Sequence, residues 1–73
     1  GGLADAIDLE EHASRKVVVW FHTQAVKKLC AASPNLEAWN GSRPLHHATA
    51  IHVLQLLRAD DVWLQLRAFL RMQ

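Results

Sequence analysis

Residues 16–32, KVVVWFHTQAVKKLCAA, decide between an all-helical and a mixed fold. The three valines at 17–19 are poor helix formers and favour a short buried strand. A strand would have to stop at His22, where the chain has neither Gly nor Pro to turn it. Because apolar residues instead recur at three- and four-residue spacing as far as Cys30, the stretch predicts one long helix. Its two predicted core-facing rows are Val18, Phe21, Ala25, Leu29 and Val19, Val26, Cys30.

The sequence before the long helix predicts a short first helix. A thin apolar stripe runs through residues 3–13, and the acidic side chains between its members make this helix solvent-facing. His12 or Ser14 marks the break between the two helices. At the other end, Pro34 disfavours helical geometry in the residue before it and so ends the long helix.

Two further helices are predicted in the second half of the chain. Ser42 is a suitable N-cap and Pro44 fits a first turn, so the third helix begins at residue 43 and ends near 58–59. Aspartates 60–61 complement the dipole at the start of a last helix over 62–72. Short connections make neighbouring helices antiparallel, so the fold class is all-α, a small bundle or stacked helical hairpins of about four short helices. The predicted core-facing residues are Leu45, Ala48, Thr49, His52, Val53, Leu56 and Leu57 in the third helix, and Val62, Trp63, Leu66, Phe69 and Leu70 in the last.

Length and composition limit the class of protein. Residues 1–73 make a single domain, short enough to be a fragment of a longer chain. The formal net charge of +1 lacks the basic excess of a domain that tracks phosphates, so nucleic acid is not favoured as a partner. The longest apolar run, residues 17–21, is far shorter than the roughly 20 residues that cross a bilayer, so no membrane segment is expected. A single cysteine cannot form an internal disulfide, which fits an intracellular compartment, cytoplasmic or nuclear.

The turn before the third helix carries a family resemblance. Gly41, the run Arg43-Pro44-Leu45-His46 and Ala48 resemble the ankyrin-repeat signature, with Arg43 where the family prefers Thr. Residues 53–62 resemble the second helix and exit loop of that repeat, and residues 25–36 resemble the end of a preceding one. Both repeats are shortened against the family's roughly 33 residues. Ankyrin-like arrays bind other proteins through their turns and concave helices, so the resemblance implies a partner-binding role and no chemistry.

A second resemblance gives the alternative function, a small helical DNA-binding domain. Residues 17–21 followed by the lysines at 27–28 are similar to the recognition helix of a homeodomain. Thr23 stands where that family has its adenine-reading Asn, and Gln24 and Ala25 stand in place of its arginines. The base reader and the phosphate contacts of that family are therefore missing here.

Exposed turn residues are the candidates for touching a partner. Trp39 sits in a polar turn between a proline and a glycine, whereas the other two tryptophans lie on or beside apolar helix stripes and are expected in the core. We therefore predict a non-catalytic module that binds another protein or peptide through exposed turns and a helix face, with homo-oligomer formation left open. The predicted partner-binding residues are Trp39, Asn40, Ser42, Arg43 and His47.

Metal binding and catalysis are not predicted. His46, His47 and His52 lie within two turns of one helix, but His52 is not three or four residues from either of the others, so no ligand spacing is complete and His47 is expected to face water. Cys30 falls on a predicted buried row, where thiols are inert. We therefore expect no catalytic residue, no metal and no cofactor. Protonation of several of the five histidines near pH 6 is expected to loosen the fold, because an imidazole held neutral in the core is charged only at a cost.

Overall fold

Four α-helices make up most of the part of the chain that this computed structural model describes, residues 9–32 and 45–72. They are α1 (Leu9–His12), α2 (Arg15–Ala32), α3 (His47–Leu56) and α4 (Asp60–Arg71). These two stretches contain no strand, so the all-α prediction is confirmed. Helix α2 is the central element, because α1, α3 and α4 each pack against it. Among the described helices, none is long and apolar enough to span a membrane.

Helix α2 includes the three valines that favoured a strand. It begins at Arg15, and the Ser14 hydroxyl accepts a hydrogen bond from the Val17 backbone N–H at 3.4 Å. The Thr23 hydroxyl donates to the Val19 carbonyl at 2.8 Å, one turn back along the helix. The strand alternative is therefore wrong. The predicted break before the helix is confirmed, since α1 ends at His12.

The core is built around the first of the two rows predicted for α2. Phe21 and Ala25 have no exposed surface, and Val18 and Leu29 are half-buried against them. The second row is wrong at Val19, whose side chain is 52% exposed. The three valines of residues 17–19 point to different sides of α2, and the other helices cover only part of its surface. One of the three valines is therefore left in solvent.

Helix α3 buries a different face from the predicted one. Its buried residues are Ala50, Ile51, Val53 and Leu54, so the prediction is confirmed at Val53 and wrong at the exposed Ala48, Thr49, His52 and Leu56. The helix is apolar on nearly every side, so periodicity alone does not select the face that meets the core. Packing against α2 makes the selection instead.

Helix α3 also begins later than the predicted residue 43. Leu45 and His46 lie outside the helix, and His46 is extended with φ −61° and ψ 148°. The first turn closes from the Ala50 N–H to the His46 carbonyl at 2.9 Å. Leu45 packs half-buried against the core, and the predicted capping residues Ser42 and Pro44 lie outside the described residues.

A tight connection joins α3 to α4. Arg58 has a positive φ of 49°, and its N–H donates to the Gln55 carbonyl at 3.1 Å. The Ala59 N–H donates to the Leu54 carbonyl at 3.1 Å, which completes a Schellman motif whose two apolar members are both buried. Helix α4 then begins with the two aspartates in its first turn and buries Val62 and Leu66, as predicted.

Two tryptophans join the core, as expected from the sequence. The Trp20 ring of α2 meets Phe69 of α4 edge to face, with centroids 4.9 Å apart. The Trp63 ring lies 5.6 Å from Phe21, and its indole N–H donates to the Leu54 carbonyl at 3.4 Å. These aromatic contacts fix α4 against α2 with a defined orientation.

Candidate functional site

Three helices bring two imidazoles and a carboxylate together. Glu10 comes from α1, His22 from α2 and His47 from α3. The Nε2 atom of His22 and the Nδ1 atom of His47 share a hydrogen bond of 2.8 Å, whose donor depends on the tautomer. One Glu10 carboxylate oxygen lies 3.6 Å from the same Nδ1. We call these three residues the His-Glu cluster.

The core positions the two imidazoles of this cluster. His22 follows the fully buried Phe21 on α2, and His47 is the first residue of α3, on the face that also carries Ala50 and Leu54. The Phe21 ring lies 6.0 Å from the His47 ring. As a result only 13% of the His47 side chain is exposed, so the expectation that it faces water is wrong.

The Glu10 side chain approaches from the solvent side of the cluster. It keeps 56% exposure while its carboxylate faces His47. His47 opens α3, and the amino end of a helix carries a partial positive charge that favours a nearby carboxylate. The carboxylate therefore reaches the imidazoles without being removed from water.

Burial changes the titration of one imidazole. Desolvation lowers the pKa of His22 below its usual value, the nearby His47 lowers it further, and the Glu10 carboxylate partly opposes both effects. Loss of water contacts penalises the charged imidazolium more than the neutral ring. His22 is therefore held in the neutral form at neutral pH.

The His-Glu cluster opens into a cleft of about 610 Å³ between α1, α2 and the start of α3. Apolar side chains and one guanidinium group make up most of the remaining lining. Among the described residues that line the cleft, no side chain carries a hydroxyl or a thiol, the two nucleophiles that a histidine most often activates. The other lining residues are Ala13, Arg15, Val18, Val19, Leu45 and His46.

Comparison with protein-family models, with curated proteins and with solved structures finds no significant match to this chain. Function must therefore be inferred from side-chain geometry. The ankyrin and homeodomain resemblances remain predictions.

Three exposed leucines lie close together in the sequence, around the corner between α3 and α4. Leu56 is 67% exposed, Leu64 is 64% exposed and Leu57 is 36% exposed. All three fall within residues 56–64, around the Schellman turn that joins the two helices. We call these three residues the leucine surface. Leu56 and Leu57 were predicted in the core, so their exposure follows from the corrected face of α3.

The sequence-predicted partner residues are only partly described. Trp39, Asn40, Ser42 and Arg43 lie outside the described residues and stay predictions. His47 is described, and it belongs to the His-Glu cluster instead of standing alone in solvent. Sequence reasoning missed Glu10 and His22, because it compared histidine spacing within one helix and these two residues arrive on other helices.

We expect the protein, with stray metal ions removed by a chelator, to lose stability as the pH falls from about 7.5 to about 5.5. The His22 pKa is lowered from 6.5 in the folded state, so below pH 6.5 the unfolded chain binds more protons and unfolding becomes easier. The loss should grow until the pH passes the lowered pKa of the folded state. Thermal melts followed by circular dichroism, with a chelator in the buffer, measure this loss of stability. His22→Gln should reduce the difference while His52→Gln, at an exposed position, should keep it, and identical wild-type midpoints at the two pH values would contradict it.

Proposed function

We propose that this chain is a non-catalytic protein-protein interaction module that binds a partner peptide or domain through the leucine surface. The observation that carries the proposal is the exposure of Leu56 and Leu64 in a domain with a small core. Single exposed apolar residues are ordinary and contiguous ones mark an interaction site, so the proposal takes these leucines, which are close in sequence around one turn, as one contact surface. The sequence predicted partner contact at a different turn, near Trp39 to Arg43, together with a face of the third helix.

The leucine surface can supply a measurable part of a binding free energy. Burying one leucine side chain fully is worth about 1.5–3 kcal/mol. Leu56 and Leu64 each keep more than half of their surface in water, so a partner that covers both gains most of that amount twice. A tenfold change in affinity corresponds to about 1.4 kcal/mol, so two such contacts together increase the affinity about 100-fold.

The charges around the leucine surface fit a protein partner. Arg58 in the connection and Asp60 at the start of α4 are both exposed, and Asp61 pairs with Lys28 at 2.9 Å. The Lys28 hydrogen bond lowers the pKa of Asp61, so this carboxylate stays charged. An apolar centre with a rim of both charge signs is the ordinary anatomy of a protein interface. A phosphate backbone would find no excess of positive charge here, because the two cations stand beside two carboxylates.

The assignment as non-catalytic is supported by the chemistry of the cleft. Its described lining residues offer no hydroxyl or thiol, and Cys30 is half-buried on α2 outside that lining. The ankyrin-like string favours the same role, because that resemblance implies binding through turns and helices. Residues 53–62 of the resemblance overlap the leucine surface.

The test compares two double variants of the immobilised chain. Leu56→Ser with Leu64→Ser removes the apolar contacts, and Gln55→Ser with Gln65→Ser changes two exposed neighbours without changing the leucines. Proteins retained from a cell extract by the wild type should be lost by the leucine variant and kept by the glutamine variant. A purified partner should then bind the leucine variant about 100-fold more weakly.

Salt dependence separates the proposal from the DNA-binding alternative. Apolar binding should persist between about 50 and about 200 mM salt, whereas binding through phosphates falls steeply over that range. Sedimentation of the chain by itself tests whether the partner is a second copy. Equal retention by both double variants would contradict the proposal.

A further inference from the structure

We propose that Glu10, His22 and His47 form a binding site for a divalent transition-metal ion, with Zn²⁺ as the occupant that fits the donor set best. This inference goes beyond the interaction function and does not depend on it. The three residues lie far apart in the sequence and meet only because α1 and α3 pack on α2. Imidazole nitrogens with one carboxylate are a common set of zinc ligands in proteins.

The distances within the cluster fit one ion. Zinc lies roughly 2.0–2.2 Å from nitrogen and oxygen ligands, so tetrahedral ligand atoms are separated by about 3.3 Å. The two imidazole nitrogens are 2.8 Å apart, and the Glu10 oxygen is 3.6 Å from His47 Nδ1. One donor atom from each residue lies within 4.8 Å of the other two. Separating the imidazoles by about half an ångström and drawing the carboxylate inward would complete three positions.

The proton between the two imidazoles does not block the site. When both rings are neutral, one proton lies between His22 Nε2 and His47 Nδ1. That proton leaves this position when its ring adopts the other tautomer, with the hydrogen on the far nitrogen. Both facing lone pairs then become available, and no net proton is released.

The surroundings supply an entry path and the fourth position. The cleft in front of the cluster admits water, which would complete the tetrahedron. Arg15 also lines this cleft, and its positive charge reduces the attraction for a cation. The Glu10 carboxylate offsets that charge. A bound ion would tie three helices together in a chain whose only cysteine is a free thiol.

The experiment uses the full chain without an affinity tag, stripped of metal and titrated with Zn²⁺ by calorimetry. We expect one ion per chain and an increase in the thermal midpoint on adding zinc, because the ion binds the folded form. Replacing zinc by Co²⁺ should give the intense visible absorption of a tetrahedral nitrogen and oxygen site. Each of His22→Gln and His47→Gln should weaken zinc binding by at least about 100-fold, since even the loss of an outer partner weakens a metal site 10–100-fold.

Glu10→Gln keeps the test decisive if a histidine variant fails to fold. This side chain is more than half exposed, so the variant should show the wild-type circular dichroism spectrum while binding zinc at least about 10-fold more weakly. Cys30→Ser and His52→Gln are the controls, because they remove other zinc-binding groups and should keep wild-type affinity. Absence of zinc binding overturns the proposal. Undiminished binding by folded Glu10→Gln and His22→Gln, or its loss in Cys30→Ser, also overturns it.

Discussion

Phe21→Ala should lower the free energy of unfolding by about 3–5 kcal/mol, the range for removing a buried phenylalanine side chain. Phe21 has no exposed surface and lies where α2, α3 and α4 meet, 5.6 Å from the Trp63 ring and 6.0 Å from the His47 ring. A domain of this length has a total stability of about 4–11 kcal/mol. The variant should therefore be largely unfolded, or melt far below the wild type, in urea titrations followed by circular dichroism.

Phe69→Ala is the matched control for this prediction. Phe69 makes one edge-to-face contact with Trp20 and is only half-buried on α4. Its removal should have less than half the effect of Phe21→Ala, because less apolar surface returns to water and solvent fills the space that is left. Equal losses in the two variants would show that Phe21 is not the centre of the core.

Leu54→Ala should cost about 2–5 kcal/mol in stability, whereas Leu56→Ala should change it by at most about 0.5 kcal/mol. Leu54 has no exposed surface, and Leu56 is 67% exposed two residues further along α3. The same substitution at two sites in one helix controls for helix propensity, except that Leu56 is the last residue of α3. Urea midpoints of the two variants measure the difference.

A larger loss of stability in Leu56→Ala than in Leu54→Ala would support the buried face of α3 that the sequence predicted. If Leu56→Ala were the more destabilising change, α3 would have to be rotated, and the leucine surface would belong to the core. Mild destabilisation by both would mean that α3 is only loosely packed on α2.

The fold class was predictable because α2 carries a strong signal. Apolar residues at helical spacing over five turns outweigh the strand preference of residues 17–19, and Phe21 and Ala25 are buried as the pattern predicts. Helix α3 had no such signal. Its apolar residues surround the axis, so the sequence allowed several faces and only packing against α2 selects the one with Leu54.

The candidate sites were harder to predict, for two separate reasons. The His-Glu cluster depends on tertiary contacts between helices, and nothing in the spacing of Glu10, His22 and His47 along the chain indicates that they meet. The leucine surface was hidden by the wrong choice of face on α3. The predictions for Trp39 and its neighbours concern residues outside the described part of the chain, so they stay predictions.

The position of α2 has a consequence for how this molecule denatures. The three other described helices use it as their shared neighbour, so melting α2 removes the support of all of them at once. Conversely, detaching α3 or α4 exposes Phe21 and with it the most apolar part of α2. We therefore expect the described helices to unfold as one cooperative unit that converts between two states.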